Sequence, residues 1–137
     1  MTMRLRGGSD IDSGALILVG DADSFTRLAH VLRTAEPATI EVDELTGRPA
    51  IGPVDMLYLE RADGLTTIQV TGRAATLSGS PESCARLADE IDLFLAHNDL
   101  SEPGVHVHIE APPPSTGHGV LASHSRGLIL AGPIPDD

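Results

Sequence analysis

Two stretches of the chain follow one pattern: residues 18–29 read LVGDADSFTRLA, and residues 77–88 read LSGSPESCARLA. In both, an apolar segment ends at a glycine, a short run rich in Ser, Asp or Glu follows, and an Arg-Leu-Ala triplet comes next. Ser and Asp side chains accept hydrogen bonds from the free N–H groups at the start of a helix. Each stretch therefore predicts a strand that turns into a capped helix.

The first helix is predicted to begin in the cluster Asp21–Ser24. Phe25, Leu28 and Leu32 follow at helical spacing and place an apolar stripe on one face. Pro37 cannot donate a backbone hydrogen bond inside a helix, so the helix must end before it.

The second helix is predicted to have Ser80 as its N-cap and Pro81 at its first helical position, where a missing N–H costs nothing. Its apolar stripe consists of Cys84, Leu87, Ala88, Ile91 and Leu95. Both helices are amphipathic, and we expect both to cover the same apolar surface.

An alternating strand follows each helix, with the sequences TIEVD at residues 39–43 and HVHIE at residues 106–110. Successive side chains of a strand point to opposite faces. The apolar residues share one predicted face, and the polar residues share the other: Thr39, Glu41, Asp43, His106, His108 and Glu110. We expect the polar face to be open to solvent.

A Gly/Pro-rich loop and a further strand complete each predicted unit. The loops span residues 46–53 and 112–119, and the closing strands cover 56–60 and 127–131. Residues 66–77 are predicted to form one strand or a hairpin about Gly72-Arg73. The fold class is therefore α+β, with duplicated βαββ units, a mostly antiparallel sheet of six to eight strands and two helices on one face. We expect a single domain over residues 1–137, with repeats at about 14–61 and 66–131.

The composition argues against a nucleic-acid or membrane partner. The net charge is −11, all nine basic residues are Arg, and aromatic residues make up 2% of the chain. Binding to phosphates relies on positive charge, and base stacking relies on aromatic rings. An acidic surface instead accelerates the encounter with a basic protein.

The chain has one cysteine, Cys84, which cannot form an internal disulfide and which lies on the apolar stripe of the second helix. The first residues contain no apolar segment typical of a signal peptide, and no run of about 20 apolar residues predicts a membrane span. We expect a cytoplasmic protein.

The predicted binding site for a protein partner consists of Glu41, Asp43, His106, His108 and Glu110. The last three residues also allow a metal-dependent enzyme as an alternative, because two histidines and a carboxylate bind zinc, iron or manganese. We expect no metal and no cofactor, since the first predicted unit has no histidine at the matching strand. We also expect no catalytic residues, because no nucleophile motif and no phosphate-binding loop with its lysine is present.

The second half of the chain resembles the immunity protein thirty-two family of bacterial polymorphic toxin systems. The resemblance is carried by HVHIE at residues 106–110, a Pro-rich loop, and LASHSRGLIL at residues 121–130. The family shows a similar H-x-H-[LI]-E strand and then L-x-x-x-S-x-x-L-[IV] leading into its last strand. The resemblance implies a small protein that binds and silences a cognate toxin without a cofactor or catalytic residues.

Three functions are compatible with these observations. The favoured one is a toxin-neutralising binder, for example of a basic nuclease, whose acidic open face docks the toxin. The alternatives are a structural or regulatory module that self-associates as a homodimer through its sheet edges, and the metal-dependent enzyme.

Overall fold

The computed structural model describes residues 2–34, 36–45, 50–102, 104–110, 120–122 and 124–133, with side chains described from residue 4 onward. The elements in chain order are β1 Thr2–Asp10, β2 Leu16–Val19, α1 Ala22–Thr34, β3 Ala38–Glu44, β4 Ile51–Val54, β5 Met56–Arg61, β6 Thr67–Thr71, β7 Ala74–Gly79, α2 Pro81–His97, β8 His106–Ile109 and β9 Leu128–Ala131. The predicted α+β class is confirmed, with two helices on one side of a mixed, mostly antiparallel sheet.

Helix α1 begins where the Asp21–Ser24 cluster predicts. The Oδ1 atom of Asp21 accepts the backbone N–H of Ser24 at 2.8 Å, which satisfies one free donor of the first turn. Phe25, Leu28 and Leu32 are buried. The local signal in the sequence is therefore sufficient to place this helix.

Helix α2 also begins as predicted, with Ser80 as N-cap and Pro81 in the first turn. The Ser80 hydroxyl oxygen accepts the N–H of Ser83 at 3.1 Å. The buried face of α2 meets α1, and the rings of Phe25 and Phe94 pack edge to face with centroids 5.8 Å apart. Such aromatic pairs add to the stabilisation that burial provides, so this contact fixes the two helices together.

The sheet has the strand order β6-β7-β5-β3-β1-β2-β9-β8, and β4 pairs with β1. The parallel pairs are β1 with β3, β2 with β9, and β5 with β7, and the other pairs are antiparallel. The closing strand of each half pairs with a strand of the other half. Strand β5 lies beside β7 of the second half, and β9 lies beside β2 of the first half.

In both halves a hairpin and a helix are followed by an antiparallel pair of strands, and in the first half β4 lies between the two strands of that pair in chain order. The hairpins are β1–β2 and β6–β7, and the later antiparallel pairs are β3–β5 and β8–β9. The repeat boundaries at about 14–61 and 66–131 stay a prediction.

The sheet has nine strands, so the expected count of six to eight is too low. One reason is β4, which forms inside the segment 46–53 that was expected to be a loop (residues 46–49 lie outside the described chain). Its Gly52 and Pro53 are residues that normally interrupt a strand. Strand β4 pairs with the second half of β1, whereas β3 pairs mainly with the first half.

Strand β1 is nine residues long. Gly7 lies where β1 meets both β3 and β4. A Cβ atom at this position would lie 2.7 Å from the carbonyl oxygen of Val54, so the strands approach this closely because residue 7 has no side chain. Close approach of three strands at one glycine is a tertiary feature that propensity does not reveal.

Residues leading into β9 lie along the outer edge of β6. The N–H of Ala122 donates to the carbonyl of Thr66, and the N–H of Arg126 donates to the carbonyl of Ile68. The Ser125 hydroxyl oxygen accepts the N–H of Ile68 at 2.7 Å. This end of the sheet therefore has much of its backbone satisfied. The second predicted loop, 112–119, lies outside the described residues.

Over the described part of the chain, neither helix has the length and apolar character needed to cross a membrane.

Candidate protein-binding face

One face of the sheet is covered by α1 and α2, and we call the opposite one the open face. On β3, Ile40 and Val42 are buried toward the helices, while Thr39, Glu41 and Asp43 are exposed on the open face. The alternation continues on the neighbouring strand β5, where Leu57 and Leu59 are buried. The period-two pattern of the sequence is what separates the two faces.

Strand β8 shows the same alternation. His106 and His108 are exposed, Val107 and Ile109 are half-buried, and Glu110 after the strand is exposed. The register places His108 beside Ile129 of β9, and Ile129 beside Ile17 of β2.

The structure places the five predicted partner-binding residues in two rows, the acidic row Glu41–Asp43 and the histidine row His106–His108–Glu110. Strands β1, β2 and β9 lie between β3 and β8. With neighbouring strands about 4.8 Å apart, the rows are separated by about 19 Å along the sheet. A small ligand cannot contact both rows at once, whereas a protein surface can.

The strip between the rows was not identified from the sequence. It contains Arg4 and Arg6 on β1 and the half-buried Ile17 and Ile129 on β2 and β9. The register sets Arg6 beside Asp43. The alternation Arg-Leu-Arg in β1 was the available signal, because it predicts two basic side chains on one face.

Tyr58 is an aromatic side chain on the open face, with 38% of its surface exposed. It lies on β5 directly opposite Thr39 of β3, next to the acidic row. A hollow of about 240 Å³ runs beside it and is lined by Pro37, Ala38, Thr39, Tyr58, Leu59 and Glu60. Exposed tyrosines beside hollows are common anchors of protein interfaces.

The imidazole rings of His106 and His108 lie beside each other on β8. The rings of His106 and His108 have centroids 5.2 Å apart and are inclined by 70°. The Nδ1–H of His106 donates to the carbonyl of Gly104 at 2.8 Å, because a carbonyl oxygen can only accept. Within the described ranges, no three His, Cys, Asp or Glu side chains are grouped so that they could hold a metal ion.

His124 does not extend the histidine row. The Nε2 atom of His124 lies 3.4 Å from the hydroxyl of Thr67, at the start of β6. Strands β6 and β8 stand at opposite ends of the strand order. His118 lies outside the described residues.

Two side chains of nucleophilic residue types, Ser125 and Cys84, are held in structural contacts. The Ser125 hydroxyl accepts the N–H of Ile68 and donates to the carbonyl of Arg126, so it links backbone segments. Cys84 is buried as expected, and burial raises the pKa of its thiol, while a hydrogen bond with Thr66 opposes this effect. A raised thiol pKa keeps Cys84 in its unreactive protonated form.

A groove of about 350 Å³ lies at the end of the histidine row, and we call it the β8 groove. Its lining residues are Asp10, Ser13, Ala15, His108, Ile109, Glu110, Gly127, Leu128 and Ile129. The carboxylate of Asp10 accepts the N–H of Asp12 and the hydroxyl of Ser13, and these bonds shape the β1–β2 turn at one wall. The sequence did not predict this groove, because the turn and the start of β9 meet only in the folded sheet.

Comparisons of the chain with protein-family models, with curated proteins and with solved structures found no match.

Proposed function

We propose that this protein is a non-enzymatic immunity protein that binds a cognate bacterial toxin through its open face and thereby neutralises it. The observation that carries the proposal is the open face itself. One side of the sheet is covered by both helices, and the other presents two rows of exposed polar side chains about 19 Å apart. Surfaces of this extent match a protein partner better than a small molecule.

The charge of the chain supports a basic toxin, such as a nuclease that binds nucleic acid through Arg and Lys. The net charge is −11, and Glu41, Asp43 and Glu110 are exposed on the open face. Complementary charge steers two proteins toward each other and discriminates against wrong partners. A protein that covers the basic surface of a nuclease also blocks access of its substrate.

Affinity in this proposal comes from a small number of central contacts. Tyr58 lies beside the acidic row, and Ile17 and Ile129 form an apolar strip between the rows. Interfaces generally combine an aromatic or apolar centre with a charged rim. The open face combines these parts, since the apolar strip lies between the two rows, and Arg4 and Arg6 separate it from the acidic row.

The test is coexpression with the product of the neighbouring gene. We expect that product to stop growth when expressed alone, and we expect coexpression with this chain to restore growth and to give a purifiable one-to-one complex. A neighbour that is harmless alone, or that never forms a complex with this chain, contradicts the proposal.

The double variant Glu41→Gln, Asp43→Asn tests whether the open face is the surface that binds. We expect its association rate constant with the toxin to fall about tenfold, because two steering charges are lost. The matched control is Asp23→Asn, Glu82→Gln, which removes two exposed carboxylates from the first turns of α1 and α2. Equal losses in both double variants would mean that net charge alone, and not the open face, governs association.

A further inference from the structure

We infer that the partner adds an extended segment to the outer edge of β8 and places a Lys or Arg side chain of that segment in the β8 groove. The inference rests on the proposed function, since it takes the basic toxin as the partner, and it specifies how that toxin is recognised.

The hydrogen bonds between β8 and β9 show which backbone groups of β8 are already used within the sheet. The N–H of Gly132 donates to the carbonyl of Val105 at 2.9 Å. In an antiparallel ladder, hydrogen-bonded pairs alternate with non-bonded pairs. The register pairs Val107 with Leu130 and Ile109 with Leu128, so these are the hydrogen-bonded pairs that continue the series.

The hydrogen bonds between β9 and β2 agree with this alternation. Leu16 donates to the carbonyl of Gly127, and Gly20 donates to the carbonyl of Ala131, so these two residues direct their carbonyls to β2. Consequently, the N–H and C=O groups of His106 and His108 point away from β9, toward the outer edge. Among the described residues, β8 pairs with no strand other than β9.

Exposed edges of this kind accept a further strand through backbone hydrogen bonds, while pockets for alternate side chains give specificity. The two ends of the sheet differ in this respect among the described residues, because Ala122, Ser125 and Arg126 already form hydrogen bonds with the outer edge of β6. Strand β8 is therefore the end at which an added strand extends the sheet.

The β8 groove supplies the side-chain pocket. The N–H of Asp10 donates to the carbonyl of Ala15. Extending the β2–β9 and β8–β9 registers by one residue places Ala15 beside Gly127, and Gly127 beside Glu110. The small residues Ala15 and Gly127 thus lie between the carboxylates of Asp10 and Glu110. This arrangement leaves a space over the sheet with polar walls. A strand beside β8 directs alternate side chains to the open face, next to Glu110.

A basic side chain fits this space better than a second copy of the chain. Residues 106–110 contain no Lys or Arg, and a second copy would bring another Glu110 and another net charge of −11. Opposite charges across neighbouring strands are stabilising, and like charges are destabilising. Arg126 precedes Gly127 in the chain, and its guanidinium lies beside Gly14 and is not part of the groove lining.

The first experiment is amide hydrogen exchange on the full chain, free and in complex with the toxin. We expect the His106 and His108 amides to exchange rapidly in the free chain and to become protected in the complex. The Val107 and Ile109 amides should be protected in both states. Protection of His106 and His108 in the free chain would mean that this chain, or a second copy of it, already covers the edge, and it would overturn the inference.

The second experiment compares His108→Pro with His108→Ala. Both variants lose the imidazole, but only the proline variant loses the outward N–H, and the β8–β9 ladder does not use that N–H. We expect the proline variant to bind the toxin about tenfold more weakly than the alanine variant, with both equally helical by circular dichroism. Glu110→Gln, which leaves the backbone intact, should weaken binding about tenfold relative to wild type.

The two proposals fail in different ways. If wild type binds the toxin and the proline and alanine variants bind equally, strand addition is wrong and the immunity function stands. If wild type does not bind the toxin, the proposed function fails. If Glu110→Gln binds as wild type does, the assignment of the β8 groove is wrong.

Discussion

The hydroxyl of Ser83 has a structural role that the sequence does not indicate. It lies 2.7 Å from the backbone nitrogen of Thr66 and 2.8 Å from the Thr66 hydroxyl, and all of these atoms are buried. Backbone donors that are buried without a partner are costly. Ser83 thereby joins the start of α2 to the start of β6.

We predict that Ser83→Ala lowers the free energy of unfolding by about 1–3 kcal/mol, because the buried N–H of Thr66 loses its acceptor. Urea denaturation followed by circular dichroism measures this difference. The control is Thr26→Ala, an exposed helical position, for which we expect a change within about 0.5 kcal/mol. An unchanged midpoint for Ser83→Ala would show that water or another group replaces the hydroxyl.

The exposure of single side chains was predictable from the sequence, and their grouping was not. Alternation in TIEVD and HVHIE correctly predicted that Glu41, Asp43, His106, His108 and Glu110 are exposed. The distance between the rows depends on the three strands inserted between β3 and β8. No local pattern encodes that insertion, since it follows from pairings between residues far apart in the chain.

At the scale of elements, the helices are specified by their first turns. The N–H and hydroxyl of Ser24 donate to the carboxylate of Asp21 and hold its pKa below the ordinary value for an aspartate. A carboxylate at a helix N-terminus also interacts favourably with the helix dipole. The charged form of Asp21 therefore stabilises the folded chain.

We predict that this contribution is lost in acid. A lowered pKa in the folded state gives stability that is present above the unfolded value of about 3.9 and is lost as the pH falls through the folded value. Asp21→Asn keeps an acceptor but removes the charge, so wild type should exceed it by about 0.3–1 kcal/mol near neutral pH. The difference should shrink as the pH falls below the unfolded value and vanish once Asp21 is protonated in both states.

Thermal unfolding of both proteins between these pH values tests the prediction. Asp63→Asn, in the exposed β5–β6 loop, is the control that removes one charge away from any helix start. A difference between wild type and Asp21→Asn that does not depend on pH would contradict an electrostatic origin.

Helices were easier to predict than strands for a physical reason. Ser80, Pro81 and the 3.6-residue period act within one segment, and α2 begins where they indicate. Strand β4 contains Gly52 and Pro53, and it forms because β1 offers a partner edge beside Gly7. Tertiary pairing overrides the local preference there, so the sequence signal for a loop was misleading.

At the scale of the whole molecule, charge and topology bear on how the proposed toxin would reach the open face. The net charge of −11 acts over the Debye length, which is about 10 Å at 0.1 M ionic strength. The open face is one side of a continuous sheet, so a docking protein meets a wide surface instead of a cleft.

We predict that the association rate constant with the basic toxin falls at least about tenfold between about 0.02 M and 0.5 M salt, because screening weakens the long-range attraction. The dissociation rate constant should change less, since it reflects contacts that are already formed. Stopped-flow fluorescence at several salt concentrations gives both constants. An association rate that does not vary with salt would remove electrostatic steering from the account of the toxin encounter.

The pairing of β9 with β2, a strand of the first half, determines when the sheet can be completed during synthesis. Strand β9 is inserted between β2 and β8, so the end of the sheet beyond β2 cannot form until residues 128–131 have left the ribosome. Until then, β2 displays an unpaired edge of Leu, Ile and Val for most of the time that translation takes. A nascent chain in this state is a candidate for chaperone capture.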